Sequence, residues 1–138
     1  MKSIRVTLVE DNILHRFLYS NFIKSYPSCT IEIETFENGL EAWEHFNSIK
    51  GRPSLFPDLL LLDINMPIMN GWELIENLAV NQFDFIYKST IYIISSSSLS
   101  LDTNKIYDYE FLDGYIIKPI NRQDVYKILD HTLGKNNN

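Results

Sequence analysis

Short apolar stretches alternate with longer amphipathic stretches along the whole chain. The apolar stretches are rich in Ile, Val and Leu, and their length is typical of strands. They cover residues 4–9, 30–36, 59–62, 91–94 and 114–117. The third contains only leucine, LLLL, which is typical of a strand covered on both faces of a sheet. The pattern therefore predicts five strands.

Between these strands, apolar residues recur every three or four positions, which predicts helices. Asn12 is a suitable N-cap for the first helix, and Asn38-Gly39 turns into the second. Residues 101–112 predict a weaker helix, 81–89 show no clear period, and Gly134 is expected to end the last helix. The apolar positions of the other helices are Ile13, Phe17, Leu18 and Phe22; Leu40, Trp43, Phe46 and Ile49; Trp72, Leu74, Ile75 and Leu78; and Val125, Ile128, Leu129 and Leu133.

Five repeats of strand and helix predict an α/β fold, a doubly wound parallel sheet with helices on both faces. No linker or shift in composition divides the chain, so we expect one domain over residues 1–138. Its core should span about 3–133, and residues 134–138 are expected to form a flexible tail. No separate output domain is expected after Leu133.

The chain is acidic, with a formal net charge of −6. Its Lys and Arg residues are not grouped, which argues against a nucleic-acid partner, because phosphates are bound by clustered positive charge. Cys29 is the only cysteine, so no disulfide within the chain is expected. The N-terminal stretch alternates apolar and polar residues, unlike a signal peptide or a membrane span. We therefore expect a soluble cytoplasmic protein with no membrane partner.

Polar residues that could take part in catalysis or ligand binding follow four of the predicted strands. Because ligands of open α/β sheets bind at the carboxyl ends of the strands, we expect these side chains to lie at one edge. Alone, each has a simpler explanation, since an acid after a strand is usually a helix cap and a serine run is usually a loop. They are Glu10 and Asp11, Asp63, Ser95 and Ser96, and Lys118 with Pro119.

Three carboxylates at one edge repel one another unless a proton or a cation lies between them. Mg²⁺ is the suitable cation, because it binds carboxylate oxygens and leaves positions for a phosphate oxygen. Lys118 could neutralise a second phosphate oxygen, and Asp63 could attack phosphorus to give an aspartyl phosphate. The sequence contains neither G-x-S-x-G nor a P-loop, and its histidines show no ligand spacing.

At these positions the chain resembles the receiver domain of response regulators in two-component signalling, and in extent it is similar to the stand-alone chemotaxis-type regulators. The resemblance rests on VEDN, LLLLDINMPIMNG, IYIISSS and GYIIKP, and it covers nearly the whole chain. The loop D-x-x-M-P-x-M-x-G is the most specific of these motifs. The resemblance implies a flavodoxin-like (βα)5 fold with strand order 2-1-3-4-5.

The resemblance also implies which residues carry the phosphoryl chemistry. Asp63 would receive the phosphoryl group from a sensor histidine kinase or a histidine phosphotransfer protein. Asp11, Asp63 and the backbone carbonyl of Asn65 would bind Mg²⁺, and Glu10 would act through water. The chain would then be a phosphoacceptor rather than an enzyme, and its output would be docking to a downstream protein or onward transfer of the phosphoryl group.

The remaining implied roles concern the switch and the loops. Ser95, with Ser96 beside it, and Lys118 would contact phosphoryl oxygens, and Tyr115 would change rotamer with Ser95. The fourth helix, fifth strand and fifth helix would form the docking face. The Lys118-Pro119 bond would be cis, Pro67 would stiffen its turn, and Gly71 would let the chain bend into the next helix. Tyrosines expected near the docking face are Tyr107, Tyr109, Tyr115 and Tyr126.

Two positions differ from the most frequent residues of the family. Glu10 stands where Asp is more frequent, and its longer side chain could change how the waters of the metal are held. Ser95 stands where Thr is more frequent, so its coupling to Tyr115 could be looser. Ser97 lies where the family varies its rate of dephosphorylation.

Two other functions remain open on the sequence alone. One is a receiver-like binding module that never takes up phosphate. The other is a Mg²⁺-dependent phosphatase of the haloacid-dehalogenase type, which also uses an Asp at a strand end. That family has D-x-D at the nucleophile, whereas this chain has Asp63-Ile64-Asn65.

Overall fold

The computed structural model of the protein describes residues 2–97 and 99–136. Its strands form one parallel sheet in the order β2-β1-β3-β4-β5. The predicted doubly wound fold and its strand order are therefore confirmed. The strands are β1 (Ser3–Val9), β2 (Thr30–Phe36), β3 (Leu59–Asp63), β4 (Thr90–Ser95) and β5 (Gly114–Ile117). The helices are α1 (Ile13–Lys24), α2 (Gly39–Ser48), α3 (Gly71–Val80), α4 (Ser100–Lys105) and α5 (Arg122–Asn136).

The four leucines of β3 explain how the two layers of helices are held. Leu60 and Leu62 pack into the core on the side of α2 and α3, whereas Leu59 and Leu61 pack on the side of α1 and α5. All four are fully buried. Alternate side chains of a strand point to opposite faces, so a strand covered on both faces needs apolar residues at every position.

Four helices begin at asparagine caps that local sequence alone can explain, and the cap of α5 is Asn121, whose side chain accepts from Asp124 N–H at 2.8 Å. The side chains of Asn12 and Asn38 accept hydrogen bonds from His15 N–H and Glu41 N–H. Asn70 forms a capping box with Glu73, in which each side chain bonds the backbone N–H of the other. These bonds satisfy amide groups that have no partner inside the helix.

The fourth helix is shorter than its predicted span of 101–112. α4 ends at Lys105, a 3-10 turn covers Ile106–Asp108, and the chain then continues without helix. The aromatic residues after the turn pack against α3, because Tyr109 stacks on Trp72 with ring centroids 6.3 Å apart. They do not continue one helical stripe, which is why the prediction was too long. A 3-10 turn (Asp84–Tyr87) also lies within the predicted irregular stretch.

The last helix continues through Gly134, so the predicted stop there was wrong. α5 reaches Asn136, and the predicted tail is helical over 134–136; residues 137 and 138 lie outside the described part. The ammonium group of Lys135 donates to the carbonyl of Ser89 at 3.0 Å and to Asp113 at 3.1 Å. These contacts tie the last turn to the sheet, and a glycine in an exposed helix is a cost rather than a stop.

Candidate functional site at the carboxyl edge of the sheet

The sheet register brings the predicted site residues to one edge. Val9 pairs with Leu62 and Asp63 pairs with Ile94, so the residues that follow these strands lie side by side at one edge of the sheet. Carboxylate oxygens of Glu10, Asp11 and Asp63 lie within 4.8 Å of one another. Glu10 and Asp63 are buried, whereas Asp11 is exposed. The expected convergence of the three acids is found.

Lys118 supplies the positive charge of the site. Its side chain is only 8% exposed, and its Nζ lies 3.2 Å from Oδ2 of Asp63 and in ion-pair contact with Oε1 of Glu10. Burial alone would lower the pKa of this ammonium group, but the hydrogen bond with Glu10 and the two carboxylate charges outweigh burial and raise the pKa. Lys118 therefore stays charged between the two buried acids. The Lys118-Pro119 peptide bond is cis, as the resemblance implied.

Asp63 is a weaker acid than an ordinary aspartate. Burial and then the charge of Glu10 raise its pKa from 3.8 to about 7, although Lys118 opposes them. Strongly perturbed titratable groups are frequent at functional sites. A divalent cation at the acidic cluster would remove the repulsion that raises this pKa.

The turn between β1 and α1 is held by contacts that sequence reasoning missed. Asn12 N–H donates to Oε2 of Glu10 at 3.0 Å, which fixes the Glu10 carboxylate. The Arg16 guanidinium donates to the backbone carbonyl of Glu10 at 2.7 Å and also lies 3.6 Å from Glu37. Arg16 thus joins the acidic turn to the loop after β2. Its place near the start of α1, five residues after Asp11, was the available signal in the sequence.

The loop after Asp63 contains a strained residue and a close backbone approach. Ile68 has a φ of 70°, and Met69 N–H donates to the carbonyl of Pro67 across it at 2.8 Å. A positive φ is unfavourable for a β-branched residue, so the surrounding loop must enforce this turn.

A glycine is needed at position 71 for a different reason than the predicted bend. Its φ lies outside the left-handed region, and a Cβ here would overlap the carbonyl oxygen of Asp63. The glycine lets α3 start directly against the phosphoacceptor candidate, and its N–H bonds the carbonyl of Ile64 at 2.9 Å. Asn65, the predicted carbonyl ligand, is exposed next to Asp63 on this loop.

The hydroxyl of Ser95 is buried at the end of β4, next to a network that includes Tyr115. Its Oγ accepts a hydrogen bond from Ser97 N–H at 3.1 Å. The phenol of Tyr115 donates to the carbonyl of Ser97 at 2.8 Å, and the ring is half-buried. Ser96 is exposed. The two predicted switch residues are therefore linked through Ser97.

Two further residues near the acids were not predicted. His15 lies with Nδ1 3.8 Å from Oε1 of Glu10, and its ring stacks on Tyr19. Tyr19 is fully buried, and the charges of Lys118, Glu10 and Asp63 all act on its phenol. Burial raises the pKa of this phenol, so it stays protonated beside the site. His15 was expected to have no part in a site, but it lies beside the acidic cluster.

The apolar face predicted for α1 is only partly buried. Ile13, Leu14 and Phe17 are 71%, 73% and 68% exposed, although the first and third were expected to face the core. Burial on α1 falls instead on Tyr19 and Ile23. The exposed residues begin directly after Asn12, which places an apolar surface beside the acidic cluster.

The residues present fit a hard divalent cation. Three carboxylates within 4.8 Å offer the oxygen ligands that Mg²⁺ prefers, and the exposed Asp11 leaves the cluster open on one side. Lys118 occupies the other side, where it contacts Glu10 and Asp63.

A parallel five-stranded sheet with an acidic site at its carboxyl edge defines a class of α/β signalling and binding domains. The family model of the response regulator receiver domain matches residues 6–130, and the chain belongs to this family. Receiver domains act as phosphoacceptors in two-component signalling and bind Mg²⁺ at an acidic pocket.

Relatives and solved structures agree with this assignment. A protein-glutamate methylesterase/protein-glutamine glutaminase of Geobacillus kaustophilus is 30% identical over 139 residues, 98% of this chain and 36% of that protein. The nitrate/nitrite response regulator protein NarL of Escherichia coli is 30% identical over 126 residues, 90% of this chain and 52% of that protein. A two component response regulator from Cytophaga hutchinsonii superposes with a TM-score of 0.84 at 27% identity, covering 96% of this chain and 99% of that one.

The chain thus spans between about a third and a half of the length of these two curated relatives. The Mn(2+)-bound form of response regulator Rcp1 shares the fold, with a TM-score of 0.73 at 22% identity over 93% of this chain and 90% of that one. Over residues 2–97 and 99–136, no helix has the length and apolar character needed to cross a bilayer.

Proposed function

We propose that Asp63 accepts a phosphoryl group from a phosphohistidine of a sensor histidine kinase or a histidine phosphotransfer protein. The supporting observation is the position of its carboxylate, which is buried at the end of β3, close to two acids and 3.2 Å from Lys118. An oxygen of Asp63 attacks phosphorus, and the P–N bond of the donor breaks. The electron pair returns to the imidazole nitrogen, which takes up a proton.

The chain's own residues hold the reactants in place. Asp11, Asp63 and the carbonyl of Asn65 would hold Mg²⁺, with Glu10 acting through water. The bound ion would supply charge neutralisation at the phosphoryl oxygens. Lys118, already fixed by Glu10 and Asp63, pairs with one of these oxygens, and phosphorylation releases it from part of its present contact with Asp63.

The hydroxyl of Ser95 binds a second phosphoryl oxygen, with Ser96 beside it at the edge. To do so, Ser95 must turn toward Asp63 and change its contact with Ser97 N–H. Tyr115 follows, because its phenol is bonded to the carbonyl of Ser97. This coupling carries the change from the site to β5 and α4.

The output surface is the face made by α4, β5 and α5. An open groove of about 670 Å³ lies between α4 and β5, and its lining includes Tyr107 and Tyr115. Tyr107 is 84% exposed and available to a partner. Tyr109 also lines the groove, but its phenol bonds Glu76 of α3, while Tyr126 bonds Ser25 at the end of α1.

The donor protein approaches over the exposed start of α1. Ile13, Leu14 and Phe17 are exposed at the start of the helix that follows the acidic turn, near the site that a phosphohistidine has to reach. Burial of three large apolar side chains would supply contact area next to the reacting atoms. That the chain is not an enzyme, and that its downstream target is a protein, remain predictions.

Intact-mass measurement after incubation with acetyl phosphate and Mg²⁺ tests the proposal. The wild-type chain should gain the mass of one phosphoryl group, and Asp63→Ala should gain none. Asp108→Ala is the matched control, since Asp108 is an exposed aspartate outside the site. Absence of the added mass in the wild type, or its persistence in Asp63→Ala, would refute the assignment. Turnover of phosphate monoesters would support a phosphatase instead.

A further inference from the structure

α4 is held to the rest of the protein by few contacts. None of its six residues, Ser100–Lys105, is buried. Its N-cap is Leu99, whose apolar side chain cannot accept a hydrogen bond from the first turn. The ammonium group of Lys105 lies 5.4 Å from the ring centroid of Trp72, which gives a modest contact with α3. Such a short helix is not stable by itself.

Ser97 joins three elements around the start of this helix. Its N–H donates to the hydroxyl of Ser95, and its carbonyl accepts from the phenol of Tyr115. Its own hydroxyl donates to Oδ2 of Asp102, in the first turn of α4, at 2.7 Å. The same hydroxyl accepts a longer hydrogen bond of 3.4 Å from Leu99 N–H. Every path by hydrogen bonds from Ser95 to α4 among these residues runs through Ser97.

We propose that Asp102 is a positioning residue that couples Ser95 to α4 through the hydroxyl of Ser97. The inference rests on the proposed phosphorylation of Asp63. When Ser95 turns toward a phosphoryl oxygen, the N–H of Ser97 either loses its hydrogen bond to the Ser95 hydroxyl or moves with that hydroxyl. Because the hydroxyl of Ser97 is bonded to a charged carboxylate, the first turn of α4 moves with it. The docking face would then respond at α4 as well as at Tyr115.

A capping role for Asp102 would be different and has different consequences. If the carboxylate only satisfied the start of α4, its removal would loosen the helix and leave the response to phosphorylation intact. If Asp102 couples the two sites, removal would abolish the response of α4 and leave the response of Ser95 and Lys118. The response to a phosphoryl mimic therefore separates the two roles.

NMR of the whole chain with beryllofluoride and Mg²⁺ tests the coupling. The variants are Asp102→Ala, Ser97→Ala and the double variant, with Asp102→Asn as a milder change that keeps an oxygen acceptor. Asp108→Ala is the matched control, because it removes the same charge from an exposed position just beyond α4. The measurements are the amide shifts of residues 100–105, 95 and 118, and the solvent exchange of the α4 amides.

In the wild type, beryllofluoride should shift the amides of α4 together with those of Ser95 and Lys118. The shifts in α4 should fall at least about fivefold in Asp102→Ala and in Ser97→Ala, with no further loss in the double variant. Solvent exchange of the α4 amides should rise roughly tenfold in both single variants, because each removes a hydrogen bond to a charged group. Asp102→Asn should keep part of the response, and Asp108→Ala all of it.

A full α4 response in Asp102→Ala, or losses that add in the double variant, would overturn the coupling. Unchanged amides of β3 and α3 establish that the variants are folded, and Ser97→Ala, which removes the other partner of the same hydrogen bond, gives the same decision if Asp102→Ala is not folded. A wild-type α4 that does not respond while Ser95 and Lys118 do would overturn the coupling alone. No response at Ser95 and Lys118 in the wild type would overturn the proposed function with it.

Discussion

β3 carries Asp63 of the acidic site and α4 is linked to Ser95 through Ser97, but the two elements are held in opposite ways. Every residue of β3 is buried, and its leucines pack into the cores on both faces of the sheet. None of the six residues of α4 is buried, and the side chain of Leu101 is 86% exposed. The element that carries Asp63 is thus fixed by apolar packing on both of its faces, which α4 lacks.

The difference separates the two tasks of the molecule. Phosphoryl transfer depends on positioning, so the carboxylate of Asp63 must stand on the most rigid element available. A signal requires an element whose arrangement changes at a low free-energy cost, and elements with few buried contacts meet this condition. Between them lies Ser97, which contacts Ser95 at the end of the sheet and Asp102 on α4.

The largest expected effect is on the stability of β3. Leu61→Ala removes a fully buried side chain from the core on the side of α1 and α5. The free energy of unfolding should fall by about 3 kcal/mol, because the lost burial adds to the cavity left behind. Leu101→Ala on α4 should change it by less than about 0.5 kcal/mol. Urea denaturation measures both, and equal losses in the two variants would contradict the comparison.

The next effect concerns charge rather than packing. Lys118→Met should slow the phosphorylation of Asp63 by acetyl phosphate roughly hundredfold, because a positioned cation no longer stabilises the developing charge. The affinity for Mg²⁺ should rise, since the substitution removes a positive charge next to two carboxylates. Phosphoryl mass over time and calorimetric titration with Mg²⁺ provide the two readouts. Lys105→Met on α4 is the control and should change neither by more than about twofold.

A smaller effect is expected from pH. The pKa of Asp63 is raised to about 7 in the folded protein, against an ordinary value of 3.8. Its contribution to stability is therefore full below pH 3.8 and is lost as the pH rises through about 7, where a buried carboxyl must ionise.

Because Mg²⁺ binds the ionised carboxylate, its apparent affinity should rise roughly tenfold or more between about pH 5 and 8. Calorimetric titrations across this range measure the rise, and Asp63→Asn should flatten the profile. An equally steep profile in Asp63→Asn would show that another group controls the metal.

The smallest effect concerns the N-terminal caps of α3 and α4. Asn70→Ala removes the capping box of α3 and should cost about 1 kcal/mol of stability. Leu99→Asn supplies α4 with the cap that its apolar residue cannot provide, and should slow the solvent exchange of the α4 amides by roughly threefold. NMR exchange rates measure the second change. Faster exchange in Leu99→Asn would show that α4 is limited by something other than its N-terminus.

Local pattern was sufficient wherever one chain segment decides its own structure. The alternation in 30–36, the unbroken leucines of β3 and the asparagines at 12 and 38 predicted elements within a residue or two of those observed. The acidic edge was also predictable, because parallel strands in one sheet place their carboxyl ends together. Roles for Ser95 and Asn65 came from the resemblance to a family rather than from the pattern.

Prediction failed where distant contacts decide. The apolar residues at the start of α1 have helical spacing but face outward, since Tyr19 and Ile23 occupy the core instead. α4 was predicted too long because Tyr109 belongs to a stack on Trp72. The stop at Gly134 was wrong because Lys135 is bonded to Asp113 and Ser89. The partners of Tyr109 and Lys135 are distant in the sequence.

The sequence by itself determined the order of strands and helices, the two-sided burial of β3 and the chemical groups at the sheet edge. These follow from periodicity, capping and strand direction, which act within a segment or through a single sheet. Only the tertiary structure decided that Glu10 contacts Lys118, that Gly71 stands against the carbonyl of Asp63, and that Ser97 meets Asp102. Such contacts depend on distances and side-chain directions, which exist only once the elements have packed.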